Sequence, residues 1–226
     1  MKWDRELGHK TAVVLRLVEP WFDHGHHVVG DAGFASVLLA RSLLDHGVFF
    51  TGLVKMCHAK YPLKFLGTKV RKERGDTYTM TADVGGEEII AHTWFDNKPK
   101  NLLSTCGVAS AADPHLKKRY RNTDDGEYMV YHKAVKRSKM VKDYFDGAAA
   151  IDITNHLRQH GLKPESAWGT HRWDHRIAAT LIGMCEVDAY LAYVYFEPGK
   201  GDVKHGEFTE RLAPKLIHSG FPGSAV

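Results

Sequence analysis

Apolar positions recur along this chain in two rhythms, one of about 3.6 residues and one of two. Over residues 10–22, Val13, Val14, Leu15, Leu17 and Val18 keep helical spacing until Pro20 interrupts, and Gly25 marks a turn. A brief strand-like run over 26–30 ends at Asp31. From Phe34 the spacing Phe34, Val37, Leu38, Leu43, Leu44 is helical again, and His46 and Gly47 supply a stop. Residues 48–56, VFFTGLVKM, then read as a β-rich run between polar flanks. The order strand, helix, strand predicts two parallel strands joined by a right-handed crossover.

From residue 57 to about 147 the alternation changes to period two. DTYTMTADV, EEIIAHTWF and KNLLSTCGV read as an antiparallel meander whose second turn is DNKPK. Residues 57–147 are therefore expected as an inserted β-rich subdomain within a domain spanning 1–197, followed by a tail, 198–226. Helical spacing returns in GAAAIDITNHLRQHG and over 170–196, and the tail holds one short helix around 207–217. The stretch IAATLIGMCEVDAYLAYVYF is apolar enough to imitate a membrane span. Glu186 and Asp188 sit near its middle, where an aspartate costs roughly 2.5–3.5 kcal/mol on insertion scales, so a helix buried in protein is the expectation. No repeat or low-complexity tract is present.

Composition narrows the picture. With 43% hydrophobic and 26% charged residues in 226, the chain can build a core, which excludes wholesale disorder. Cys57, Cys106 and Cys185 are odd in number and far apart, so neither a disulfide framework nor a CxxC zinc module can be drawn, which favours a reducing compartment. The start MKWDRELGHK lacks the apolar core of a signal peptide, and the expectation is a nuclear or intracellular protein that is not secreted. The net charge of +4 permits an anionic partner.

That charge is concentrated. Residues 111–142 hold Lys117, Lys118, Arg119, Arg121, Lys133, Lys136, Arg137, Lys139 and Lys142 against only Asp113, Asp124, Asp125 and Glu127. Such a run is the natural backbone-binding face for DNA, with an ordinary solvated face as the alternative. In THRWDHR, His171, Arg172, His175 and Arg176 gather near a helix N-terminus, where the dipole also favours phosphate. Trp168 and Trp173 could stack on bases, but Trp173 reads as core. His24, His26 and His27 read as a polar turn entering the strand rather than a metal site.

Two acidic positions carry candidate chemistry. Ligands gather at the carboxyl ends of parallel strands, which is where Asp31 falls, although an aspartate there also suits a helix cap. Asp152, Asn155 and His156 follow one another at i, i+3 and i+4 and share a helical face. An oxygen pair of that kind suits Mg²⁺ or Mn²⁺, and a local surface pair is the plainer alternative.

Four stretches, in this order and spacing, resemble the catalytic domain of piggyBac-type transposases and the transposable element-derived proteins related to them: VVGDAGFASVLLARSLLDHGVFFTGLVK, TWFDNKPKNLLSTCG, VKDYFDGAAAIDITNHLRQHG and WGTHRWDHRIAATLIGMCEVDAYLAY. The resemblance implies an α/β architecture with a partial RNase H-like fold, a strand-helix-strand unit plus C-terminal helices, into which an antiparallel β subdomain is inserted. It implies three acids holding two divalent metals, Mg²⁺ or Mn²⁺, for DNA cleavage and strand transfer. Asp31 matches the second acid and Asp152 the third, with Asn155 a further oxygen donor beside it. The thirty residues before Asp31 read as the helix leading into the second-acid strand, and neither Asp4 nor Asp23 ends a β-like run, so the first acid has no counterpart. The family's cysteine-rich C-terminal finger has none either, since no cysteine follows Cys185. The expectation is a fragment of a transposase catalytic domain that binds DNA without a complete acidic triad. Its partners would be DNA and, in one version, a second copy, with no membrane and no small-molecule substrate. Alternatives are an active metal-dependent transposase, or an interaction module using an open sheet edge.

Overall fold

The computed structural model describes residues 3–55, 60–71, 73–122, 128–161 and 163–218. Cys57, the Met56 end of the second expected strand, the acids Asp124, Asp125 and Glu127, and residues 219–226 lie outside the described residues. The chain forms two compact units, Met1–Ala148 and Ala149–Val226.

The first unit begins with α1 (Asp4–Leu7) and α2 (His9–Val18). The helix ends at Val18, just before the Pro20 expected to interrupt it, and Glu19–Trp21 form a 3-10 turn. Strand β1 (His27–Gly30) leads to α3 (Val37–Leu44) and β2 (Phe49–Val54), and the two strands pair in parallel, Val28 opposite Phe50. α3 starts three residues later than its apolar spacing predicts. The carbonyl of Asp31 takes the N–H groups of Phe34 and Ala35 in a turn, and Ser36, in extended geometry, caps the helix by accepting the Leu39 N–H at 3.0 Å. At the other end His46 and Gly47 donate to the carbonyls of Leu43 and Leu44, and Gly47 takes the left-handed φ of 64° that a helix stop requires.

A short α4 (Leu63–Lys69) precedes the meander of β3 (Thr77–Val84), β4 (Glu87–Phe95) and β5 (Pro99–Ser104). These strands continue the first two into one sheet, ordered β1-β2-β5-β4-β3, because β5 pairs antiparallel with β2, Leu53 opposite Leu102. Successive side chains point to opposite faces, so Leu102 and Leu103 serve different cores. Leu103 packs with Leu15, Leu39, Leu43, Phe50 and Leu66 beneath α2, α3 and α4. Leu102 packs with Ile90, Trp94, Val135, Met140, Val141 and Tyr144 on the other side.

That second core lies under a two-stranded hairpin, β6 (Ala111–Asn122) and β7 (Tyr128–Ser138), and under the first turns of α5 (Lys139–His160). Gly147 of α5 lies so close to Val29 of β1 that an added Cβ would come within 2.9 Å of its side chain. The hairpin strands escaped the sequence pattern because almost every position on both is exposed.

The second unit holds the rest of α5, a turn of helix α6 (Pro164–Ala167), α7 (Trp173–Phe196) and α8 (His205–His218), the last matching the short tail helix that was expected. The buried Glu186 on α7 pairs with the largely covered His205 at 2.7 Å, and the Tyr190 hydroxyl donates to the carbonyl of Val203 at 2.9 Å. α7 is not the buried helix its composition predicts. Only Ala179, Gly183, Glu186 and Val187 are buried in it, and Trp173, expected in the core, is 75% exposed. By length and composition it is long and apolar enough to cross a membrane.

Candidate nucleic-acid interface and acidic residues

The expected acidic positions fall in separate units, Asp31 in the first and Asp152 and Asn155 in the second. Asp31 stands exposed just beyond the end of β1, and its Oδ1 accepts the Gly33 N–H at 2.7 Å. The capping duty that the sequence allowed it belongs to Ser36. Asp152 is exposed on α5. Asn155, one helical turn on, is not a free oxygen donor: its Oδ1 accepts from Arg158 at 3.2 Å, and Arg158 also pairs with Glu165. A guanidinium in contact with the amide oxygen opposes a divalent cation there. Among the described residues no three His, Cys, Asp or Glu side chains gather as a metal-binding group.

The basic segment becomes the β6–β7 hairpin, and its register sorts the cations. Cross-strand partners share a face, so Lys117 and Lys133, Arg119 and Tyr131, and Arg121 and Met129 lie on one side. The other side carries Leu116 with Ala134, Lys118 with His132, and Tyr120 with Val130. Every second residue along a strand is about 7 Å further on, so Lys117, Arg119 and Arg121 form a row of cations with Lys133 opposite its inner end. Like charges facing each other across strands are unfavourable without an anion between or beside them. Asp96 supplies one for Lys117, with which it pairs at the base of the hairpin. Lys133 and Lys136 are exposed.

Other expected cations are already engaged within the protein. Lys139 pairs with Asp143 at 2.6 Å and Lys142 with Asp146, each one helical turn on. Lys118 stands over the Tyr120 ring, and the Arg137 Nε donates to the Asp113 carbonyl at 2.9 Å. At the start of α7, Arg172 makes a two-pronged contact with Asp174, Nε to Oδ1 at 3.2 Å and an NH2 nitrogen to Oδ2 at 2.6 Å, which holds the Asp174 carboxyl below its usual range. Arg176 is exposed beside it. Of the histidines entering β1, the His24 Nδ1 lies 2.5 Å from the Phe22 carbonyl and His27 meets the Thr51 hydroxyl at 2.9 Å. Burial lowers the His27 pKa, only partly countered by Asp143.

Sequence reasoning missed a cluster that only the sheet register assembles. Lys100 lies opposite Trp94, and with Asp96, His115, Lys117, Arg137 and Phe145 these residues line a cleft of about 100 Å³. Arg74 approaches the Asp96 carboxylate to 4.0 Å. The available signal was the charge of DNKPK, which read only as a turn.

With this geometry in view, the family model described as Transposase IS4 matches residues 1–190. A solved structure described as a cryo-EM structure of a piggyBac transposase synaptic complex with hairpin DNA superposes with a TM-score of 0.62 at 19% identity, covering 93% of this chain and 40% of that one. This likeness extends to the fold, an α/β sheet of RNase H-like type. The chain spans well under half the length of the transposase chain it matches. No curated protein matches.

Proposed function

Since the chain belongs to the Transposase IS4 family, we propose that it is a transposable element-derived DNA-binding protein that keeps the transposase fold without a completed acidic triad. The observation that carries this reading is the cation row Lys117, Arg119, Arg121 with Lys133 on one face of the hairpin. A charged row along an extended strand suits a phosphate backbone, because phosphate contacts supply most sequence-independent affinity and release counterions. The structural neighbour is itself a complex with hairpin DNA, which supports the same partner here. A DNA partner would place the protein in the nucleus, and the exposed apolar side of α7 favours a second copy as a further partner, which a monomeric sizing profile would remove.

The experiment is a titration of duplex DNA over a range of salt. Replacing Arg119, Arg121 and Lys133 together by glutamine should reduce the slope of log affinity against log salt by about two to three. An affinity that does not respond to salt contradicts the proposal. Transposases of this type act with divalent metal, and Asp31 and Asp152 are the acids this chain would bring. Incomplete chemistry predicts no Mg²⁺- or Mn²⁺-dependent nicking above the level of Asp31→Ala, and nicking that this substitution abolishes would establish an active enzyme instead.

A further inference from the structure

The cleft at the root of the hairpin has features that Arg119 and Arg121, further out on β6, lack. Its floor is apolar: Trp94 is 1% exposed, and its ring meets that of Phe145 edge to face at a centroid distance of 5.9 Å. Lys100 stands over the Phe145 ring at 5.2 Å and Lys117 over Trp94 at 5.9 Å, so the rings hold both ammonium groups at the walls. The Arg137 guanidinium is aimed by its Nε contact with the Asp113 carbonyl, which leaves the remaining N–H groups of the fork for another acceptor.

Charge in this cleft does not balance. One carboxylate, Asp96, is 6% exposed and already pairs with Lys117. Among the described residues, Lys100 and Arg137 have no carboxylate partner. Two uncompensated cations over an aromatic floor, where the local dielectric is lower than in water, attract an anion more strongly than surface lysines do. The imbalance is already felt by His115: burial, then Arg137 and Lys117, push its pKa down, against the opposite pull of Asp96.

Size selects the anion. A cleft of about 100 Å³ has the volume of about three waters and falls below the roughly 300 Å³ at which organic-ligand pockets begin. A compact tetrahedral group suits a cleft of that size. Planar guanidinium forks match phosphate oxygens in pairs, and lysine adds a point charge.

We propose that this cleft seats a single phosphate group, with Arg137 and Lys100 as its direct partners and Lys117, held by Asp96, completing the positive wall. In taking the source to be the backbone of a bound nucleic acid, the inference rests on the DNA-binding reading above. A free phosphate monoester presents the same oxygens, and the test separates the two. The site would anchor the hairpin root at one fixed phosphate while the outer cation row follows the strand.

Two arms test it. In the first, inorganic phosphate is added to the full chain and the His115 ring is titrated by NMR. The expected result is a rise in its midpoint on adding phosphate, lost in Arg137→Gln and in Lys100→Gln while their spectra stay dispersed. An unchanged His115 midpoint in the wild type overturns the site. In the second, short duplex DNA is titrated against the same variants. Each should bind about tenfold more weakly, with a salt slope reduced by about one, and Arg137→Lys should recover the slope but not the affinity. If the wild type responds to phosphate but binds no duplex, the DNA reading falls and the cleft stands as a site for free phosphate. If the duplex binds and neither variant weakens it, the cleft is overturned as the nucleic-acid anchor while the DNA reading survives.

Discussion

His92 makes the stability of the first unit depend on pH in a way that can be worked from its surroundings. It sits on β4 with no solvent exposure, its Nδ1 2.8 Å from the Thr79 hydroxyl on β3 and its Nε2 3.0 Å from the Ser138 hydroxyl where β7 meets α5. Both neighbours are hydroxyls, which can donate or accept, so protonating the ring need not break either contact. The cost is desolvation of the charged form, which lowers the pKa from 6.5 to about 4. Because the folded value is the lower one, stability is fully present above the unfolded pKa and is lost as pH falls through it. Each unit of pH between the two values costs about 1.4 kcal/mol, so the loss is about 2 kcal/mol at pH 5 and about 3 kcal/mol once the pH reaches the folded value. The assay is the His92 midpoint by NMR, alongside urea unfolding of wild type and His92→Gln at pH 7 and pH 5. The wild type should lose about 2 kcal/mol more than the glutamine variant over that interval. A His92 midpoint above 6, or parallel losses in the two proteins, would refute the reasoning.

Ser36→Ala removes the α3 cap and should cost about 1 kcal/mol in chemical denaturation, whereas Asp31→Ala, which caps nothing, should cost less. Gly47→Ala places a Cβ 2.9 Å from the Asp23 Cα at a φ of 64°, and should lower the melting temperature by more than the few degrees that about 1 kcal/mol produces. In the second unit Glu186→Ala leaves the largely covered His205 without its carboxylate partner, and about 2 kcal/mol or more should disappear from the unfolding of residues on α7 and α8, read by hydrogen exchange. A loss there no larger than that of the exposed pair variant Glu207→Ala would contradict the assignment.

Much of the sheet was legible because its determinants are local. The β1-α3-β2 unit announces itself through an apolar run, helical spacing and a glycine stop, and β3 to β5 through β-rich runs between turn residues, even though β4 and β5 are buried on both faces. The late start of α3 was not legible, because apolar spacing at Phe34 cannot show that the Asp31 carbonyl has already claimed the Phe34 and Ala35 N–H groups. The hairpin was invisible for the opposite reason. Alternation records burial, and β6 and β7 bury almost nothing. α7 failed in a third way, since apolar composition measures the tendency to be covered and says nothing of whether this chain supplies the cover: Ile177 and Leu181 are both about half exposed.

The acidic positions and the basic cleft divide along the same line. Asp152 and Asn155 were paired by helical spacing, and so was Arg158, three positions further on, which donates to the Asn155 Oδ1; nothing in a helical wheel ranks a metal above a neighbouring guanidinium. The charges of the cleft come from two separate stretches, the β4–β5 connection with Asp96 just beyond β4 and Lys100 on β5, and the hairpin with Lys117 from β6 and Arg137 from β7. No local period brings them together. Beyond the charge of DNKPK the trace is structural: a hairpin register that sets Lys117 against Lys133 is unfavourable unless anions meet it. Asp96 answers for one of those charges inside the protein. Lys133 on the hairpin, Arg137 at its root and Lys100 on β5 beside it are the charges that the proposed function and the proposed phosphate seat would each match with an anion from a partner.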